Sequence, residues 1–509
     1  MQPTKQLGVA VMVALFSTVS AQAAVIVSSD ATQNMTCANG VCAPTASKAV
    51  LNAGDLETLL ASGNVEVTTT GEGVQARDIT FKAPVTWSSG SVLTLDARKS
   101  IAIDRPISIA GLAGLALDTN DGGRKGNYIF GKKGNITFAN LSSSLTINGV
   151  SYTLIGDLKT LASDIAANPS GNFALANNYD ASGDGTYASS PIASFGGTFD
   201  GLGTSFSNLS VDGATQTDEG TFEGLFAYVE RSGTVRNIAV SNAVISVPAN
   251  VAGGGVLVGG NYGTVQSCGA TGSVSGGKLK KFFPELGGLV GFNDGTIAYS
   301  YAGAKVTETG GGAGGLVGLN GDEIVQSYAT GDISGPDSGG LVADNEQGVI
   351  TGSYATGHVG LAKDVGGGLV GNNWGAIVTN SYATGSVSGG AVRGLGGLIG
   401  QNAYSGASVS FSYSTGSVRG TGSVIGGLIG DDESQSGSLD DTYWDTDTSG
   451  ITNLSQGAGN IANDPGITGL TTVQFQSGLP AGFDPKVWAE KASLNGGLPY
   501  LLANPPPRH

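Results

Sequence analysis

Six side chains in the second half of the chain could do chemistry together: Asp294, Asp322, Glu323, Glu346, Trp374 and Tyr404. Paired carboxylates facing one groove can act as acid and base on a glycosidic bond. Carboxylates beside exposed aromatic rings can instead hold a sugar without cutting it, because the ring offers an apolar face and the acid accepts hydroxyl protons. Acids at solvent-facing turns are common, so the residues favour passive contact over catalysis.

Other motifs point to chemistry more weakly. The stretch DTDTSG from Asp445 begins like a calcium loop, with Asp431, Asp432, Asp440 and Asp441 nearby, but the twelfth position is Gln456 where such a loop needs a bidentate acid. A calcium site near Asp445 is therefore a minor expectation, and no cofactor is expected. The insertion GGKLKKFFPE sets Lys278, Lys280 and Lys281 beside Phe282 and Phe283 in an acidic chain, a candidate contact loop. The glycine-rich phrases lack the Lys-Ser/Thr of a phosphate loop. His358 and His509 are too few and too far apart for a zinc site or a usual triad. Cys37 and Cys42, in CANGVC, are expected to form a disulfide in an oxidising compartment.

The elements that must position these residues are repeats. Taking the Leu of each GGL-like phrase as anchor gives Leu257, Leu289, Leu316, Leu341, Leu369, Leu398 and Leu428, spaced by 32, 27, 25, 28, 29 and 30 residues. A period of this size means a solenoid or a propeller. Four residues past each anchor stands an amide: Asn261, Asn293, Asn320, Asn345, Asn373 and Asn402, with Asp432 in the last copy. Further on comes an aromatic column, Tyr301, Tyr328, Tyr354, Tyr382, Tyr413 and Tyr443, where the first copy has Cys268. Each copy offers three short apolar beats, fewer than the four strands of a propeller blade. The reading is all-β: a single-stranded right-handed parallel β-helix with short capping helices. Coils then stack about 4.8 Å apart. Equal positions become ladders, with the asparagines sharing amide hydrogen bonds and the leucines and tyrosines forming the core. An ionised Asp432 would make a poor rung, since it cannot donate. Glycines are read as corners, where they permit positive φ and close backbone approach.

Lys5, an apolar run and AQAA at Ala21 read as a signal peptide over residues 1–23. The remaining segments are an N-terminal cap (24–70), an irregular β-helix (71–155), a helical insert and linker (156–190), a repeat β-helix (191–450) and a C-terminal cap (451–509) expected to close the top. The helices are expected at AGDLETLLASG and GDLKTLASDIAANPSG, the first beneath the stack and the second on its flank. With 24 basic against 40 acidic residues the net charge is −16, which disfavours nucleic acid. No later segment is apolar enough to span a bilayer as a helix.

The copies GGLVGLNGDEIVQSYATGDISG and GGLVGNNWGAIVTNSYATGSVSG resemble the GLUG motif. VTWSSGSVLTLDA, DDTYWDTDTSG and the closing GGLPYL resemble bacterial surface proteins of the filamentous-haemagglutinin type. The resemblance implies an exported, extracellular or cell-surface β-helix with an adhesin-like role. With the residues above, the expected function is display and binding without catalysis, with surface glycans or extracellular matrix protein as partners. A carbohydrate-active β-helix enzyme and a structural matrix component are the alternatives.

Overall fold

The computed structural model describes residues 24–507 apart from 120–125, 249–250, 278–283, 391–392 and 436. The signal-peptide reading, the Lys278–Phe283 loop and His509 lie outside the described residues. The chain is a parallel β-solenoid of about 15 turns. One coil shows the plan: Gly312–Gly314, Val317–Asn320, Glu323–Val325, Tyr328–Ala329 and Ile333–Ser334. Each strand pairs in parallel with its equivalent in the next coil. A coil thus has five short strands rather than three, because the aromatic and β-branched positions form separate strands of one 18-stranded sheet.

The glycines act mainly through size. In the GG column a Cβ at Gly287, Gly314, Gly339, Gly367, Gly396 or Gly426 would collide with the carbonyl oxygen of the residue three positions on. The second glycine of each pair abuts the next coil: a Cβ on Gly315 would collide with the Gly340 carbonyl. None of these glycines has positive φ. The left-handed corner lies elsewhere, at Ser267, Tyr299, Gln326, Gly352, Asn380, Phe411 and Asp441, and only one of these seven is glycine.

Two cores run through the rod. The strand Ser144–Ile147 turns through Asn148 and Gly149, with φ of 50° and 74°, into the antiparallel strand Val150–Ile155. Two positive-φ residues match the twist of a two-residue hairpin. Past this turn, alternate residues serve different cores: Leu154 and Ala174 face the first, Ile155, Phe173 and Leu175 the second. Chain direction and buried face therefore reverse together. The two reversals cancel, so both β-helices keep the same hand. Asp200, fully buried at this junction, accepts from Tyr128 Oη, from Arg236 Nε at 2.8 Å and from the Leu202 amide at 2.8 Å. Burial, then the Asp200 charge, pushes the Tyr128 phenol well up.

Helices close the starts of both stacks. α1 (Ala53–Ser62), capped by Asn52 rather than by the Gly-Asp pair, packs under Val85–Trp87. α2 (Leu158–Ala167), capped by Asp157, packs against Ile192–Phe195, the first strand of the nine-stranded asparagine sheet. The C-terminal segment departs from the expected lid. Residues 451–466 cover the last coil, bonding Asp432 and Ile429. Residues 471–504 then run back down the flank as far as Ser327. There Phe475, Phe483, Trp488 and Leu501 bury Tyr354, Tyr382, Tyr413 and Tyr443 in a cluster of their own. The tyrosines are thus an outer stack, with ring centroids 4.8–5.4 Å apart from Tyr301 to Tyr413. Alanines one position on (Ala302, Ala329, Ala355, Ala383) take the core side.

Candidate functional site

The buried ladders fix the register on which exposed residues are displayed. Asn261 donates Nδ2 to Asn293 Oδ1 at 2.7 Å. The pattern repeats through Asn293, Asn320, Asn345, Asn373 and Asn402 at 2.7–2.9 Å and ends on Asp432 Oδ1. Every donor points toward the C-terminus, so the last rung only has to accept. A carboxylate suits that place, which corrects the expectation that Asp432 would be a poor rung. Asp464 beside it is pushed up to about 7 by burial and then by its bond to Asp432. A second ladder escaped the sequence reading. Ser300, Ser327, Ser353, Ser381 and Ser412 each accept from the neighbouring coil's amide at 3.1–3.2 Å, and each donates to the carbonyl two residues back. Cys268 belongs to this column, not the tyrosine one: its amide bonds Ser300 Oγ, while Gly269 pairs with Tyr301. The repeated Ser-Tyr dipeptide was the available signal.

The corner past the asparagines holds the candidate edge. Glu346, Trp374 and Ala403 stand in register on successive coils. Glu346, Gln347, Trp374, Gly375, Tyr404 and Ser405 line an open groove of about 530 Å³. The Trp374 and Tyr404 rings meet edge to face with centroids 6.1 Å apart. Tyr404 is 65% exposed and sits at φ 71°, a left-handed conformation that costs a bulky residue energy. Asp294 and Asp322 form a separate group lower on the rod. Asp294 lies 3.9 Å from Arg231, whose guanidinium is 5.5 Å from the Tyr262 ring centre. Burial, then the Asp294 charge, raises Asp322. Glu323, next to Asp322 in the chain, opens the strand after the corner and is exposed.

Directly before each ladder asparagine runs an outer column that sequence reasoning passed over: Phe292, Leu319, Asp344, Asn372, Gln401 and Asp431. It supports the groove from behind. Trp374 Nε1 donates to Gln401 Oε1 at 3.2 Å, and Gln401 Nε2 to Asp431 at 3.3 Å. Asn372 Nδ2 donates to Asp344 Oδ1 at 2.6 Å, while Asn372 Oδ1 is buried without a partner. Burial raises Asp344 to about 7 and Asp337, on the adjacent glycine sheet, to about 6.

Elsewhere the chemistry is absorbed by structure. Asp445, fully buried, accepts from the amides of Asp447 and Thr448 and from Thr472 Oγ1, fastening the turn to α3 (Thr472–Phe475). Among the described residues no group of three His, Cys, Asp or Glu is arranged for a metal. His358 Nδ1 lies 2.7 Å from Ser386 Oγ and 3.0 Å from the Ser386 carbonyl. Cys37 and Cys42 form a disulfide across the hairpin Met35–Ala38/Val41–Pro44. No helix among the described residues is long and apolar enough to cross a membrane.

Comparison with known proteins places these features. Residues 366–388 match the family described as the GLUG motif. A segment of 155 residues is 32% identical to Halomucin of Haloquadratum walsbyi (strain DSM 16790 / HBSQ001), covering 30% of this chain and 1% of that protein. The chain thus spans a very small part of that relative. Among solved structures, an IgA1 protease aligns at a TM-score of 0.39 with 21% identity, over 51% of this chain and 21% of that one. A Bacteroides ovatus protein proposed to be an immunoglobulin A1 protease aligns at 0.41 with 18% identity, over 69% of this chain and 93% of that one. The chain therefore carries a GLUG motif within a β-solenoid.

Proposed function

We propose that this chain is an exported, adhesin-like display rod that binds surface glycan along the corner past the asparagine ladder, without catalysis. The observation that carries the reading is the Trp374–Tyr404 groove. It is open and aromatic, flanked by Glu346, Gln347 and Ser405, and held on rigid coils. Apolar ring faces suit the C–H faces of a pyranose, and the amide, hydroxyl and acid suit its hydroxyls. Among the described residues Glu346 is the carboxylate lining the groove, which favours contact over the acid pair of glycoside hydrolysis. Extracellular placement is supported by the Cys37–Cys42 disulfide, by the leader-like opening and by the likeness to a segment of Halomucin. The test is a glycan array with the full chain, run beside a reducing-sugar assay on the polysaccharides it retains. Retention without release of sugar ends supports binding. A blank array removes the glycan reading, and released ends would make the chain an enzyme.

A further inference from the structure

We infer that protonation of Asp344 switches the amide column behind the groove and thereby loosens the hold on Trp374, so that the binding edge is held above neutral pH and loosened below it. The inference rests on the glycan reading only for its consequence; the switch itself is a property of the free protein.

Four groups in successive coils make the device: Asp344, Asn372, Gln401 and Asp431, stacked in register. Stacked amides reach the coil below with one atom and the coil above with the other, as the asparagine ladder shows at every rung. In the arrangement observed, Asn372 spends Nδ2 on Asp344 and leaves Oδ1 buried with no donor. That suits an ionised Asp344, which can only accept. Gln401 is then free to accept a hydrogen bond from the Trp374 indole N–H on Oε1 while donating to Asp431.

A neutral Asp344 reverses the first link. Its O–H donates to the Asn372 oxygen, the amide turns over, and Nδ2 is presented to the Gln401 side of the column. Gln401 Oε1, which can accept two bonds, is now shared between Asn372 Nδ2 and the indole N–H, and its hold on Trp374 weakens. The orphaned oxygen is satisfied by the same step, which makes the second state accessible. The proton stays on Asp344, and no other group need change charge.

The surroundings set where this happens. Asp344 is 7% exposed. It faces Asp337 and Glu285 on the glycine sheet, Glu346 on its own strand, and Arg393 from the loop that also meets Asp337 and Asp364. Burial favours the neutral form, the bond from Asn372 opposes it, the neighbouring acids add to the first and Arg393 to the second. Asp344 ends up near 7. The ligand edge should therefore respond between about pH 6 and 8.

The experiment uses the full chain labelled with fluorotryptophan and no ligand. Fluorine NMR follows the four tryptophans, Trp374 being assigned with Trp374→Phe. The Trp374 signal should move with a midpoint near pH 7. Asp344→Asn, whose Nδ2 can donate as the neutral acid does, should show the acid-state signal at pH 8 and no transition. Asp337→Asn should retain the transition and lower its midpoint, because a negative neighbour is gone. A Trp374 signal constant from pH 5 to 8.5, an Asp344→Asn protein that still titrates, or a midpoint unmoved in Asp337→Asn would overturn the switch. None of these outcomes depends on whether a glycan binds.

Discussion

Removing the middle rung of the asparagine ladder should cost far more than changing its last rung. Asn345→Ala deletes the bond accepted from Asn320 at 2.8 Å and the bond donated to Asn373 at 2.9 Å. The two neighbours are left differently. Asn320 Nδ2 keeps its bond to the Asp322 carbonyl at 3.0 Å, so only one interaction is lost there. Asn373 Oδ1 loses its ladder donor in a fully buried site. A lost bond is worth about 1 kcal/mol, and a stranded buried acceptor about 1–3 kcal/mol, giving roughly 3 kcal/mol in all. Asn345→Asp probes direction. The introduced carboxylate, when ionised, still accepts from Asn320 but turns an acceptor toward Asn373 Oδ1. Burial and the missing donor raise its pKa above the unfolded value. The variant is therefore most stable at low pH and loses stability as pH rises through the folded value. Asp432→Asn should cost under about 1 kcal/mol, because an asparagine oxygen there can still accept from Asn402 and from the Ser434 amide, while its Nδ2 can donate to Asp464. The assay is urea unfolding by circular dichroism, with hydrogen exchange on peptides spanning residues 341–375, since repeat arrays can open locally. An Asn345→Ala cost below about 0.5 kcal/mol, or an equal cost at Asp432, would refute the directional ladder.

Other outcomes follow from the same geometry. Gly339→Ala should destabilise the rod by at least about 3 kcal/mol in the same unfolding assay, because its Cβ would strike the Val342 carbonyl and the backbone must move. Trp488→Ala should cost about 3–5 kcal/mol and raise exchange at Tyr382 and Tyr413, whose rings it covers; exchange confined to the C-terminus would mean the tail is not what protects the stack. Between about pH 5 and 8 the melting temperature should fall as pH rises. Burial lifts Glu223 to about 8, Asp344 and Asp464 to about 7, and Asp337 to about 6. These raised acids hold their proton when folded and release it on unfolding, so their stabilisation is full below about pH 4 and lost through 6–8. A melting temperature that rises over that range would contradict these assignments.

What could be read from the sequence depended on whether a position repeats. The parallel solenoid was legible because Leu, Asn and Tyr recur at fixed offsets, and recurrence in a stacked coil means vertical contact. The face each column occupies was not. Tyr328 and Ala329 are adjacent, so one points in and the other out, and the repeat alone does not say which: the inner position holds alanine in Ala302, Ala329, Ala355 and Ala383 and Trp444 in the last coil. The tail that buries the tyrosines lies more than 100 residues away in places, as in the Trp488 bond to Asn380, and no local pattern announces it. Cys268 was misplaced by one position because Ser was passed over in favour of the larger Tyr. The Asn148–Gly149 pair carried the signal for the chain reversal in its turn chemistry. The acid-aromatic edge was visible residue by residue. Its division into an Asp294–Asp322 group, a Glu346–Trp374–Tyr404 groove and an exposed Glu323 on the strand after the corner depended on loop paths at the variable corner.

The central claim is that this corner binds glycan through its aromatic pair. Its most direct test is a calorimetric titration of the polysaccharide best retained on the array into the wild-type chain and into Trp374→Ala/Tyr404→Ala. Each ring contributes about 1 kcal/mol of contact, so the double variant should bind at least about tenfold more weakly while its melting temperature changes little. Unchanged affinity in a folded double variant would contradict the account.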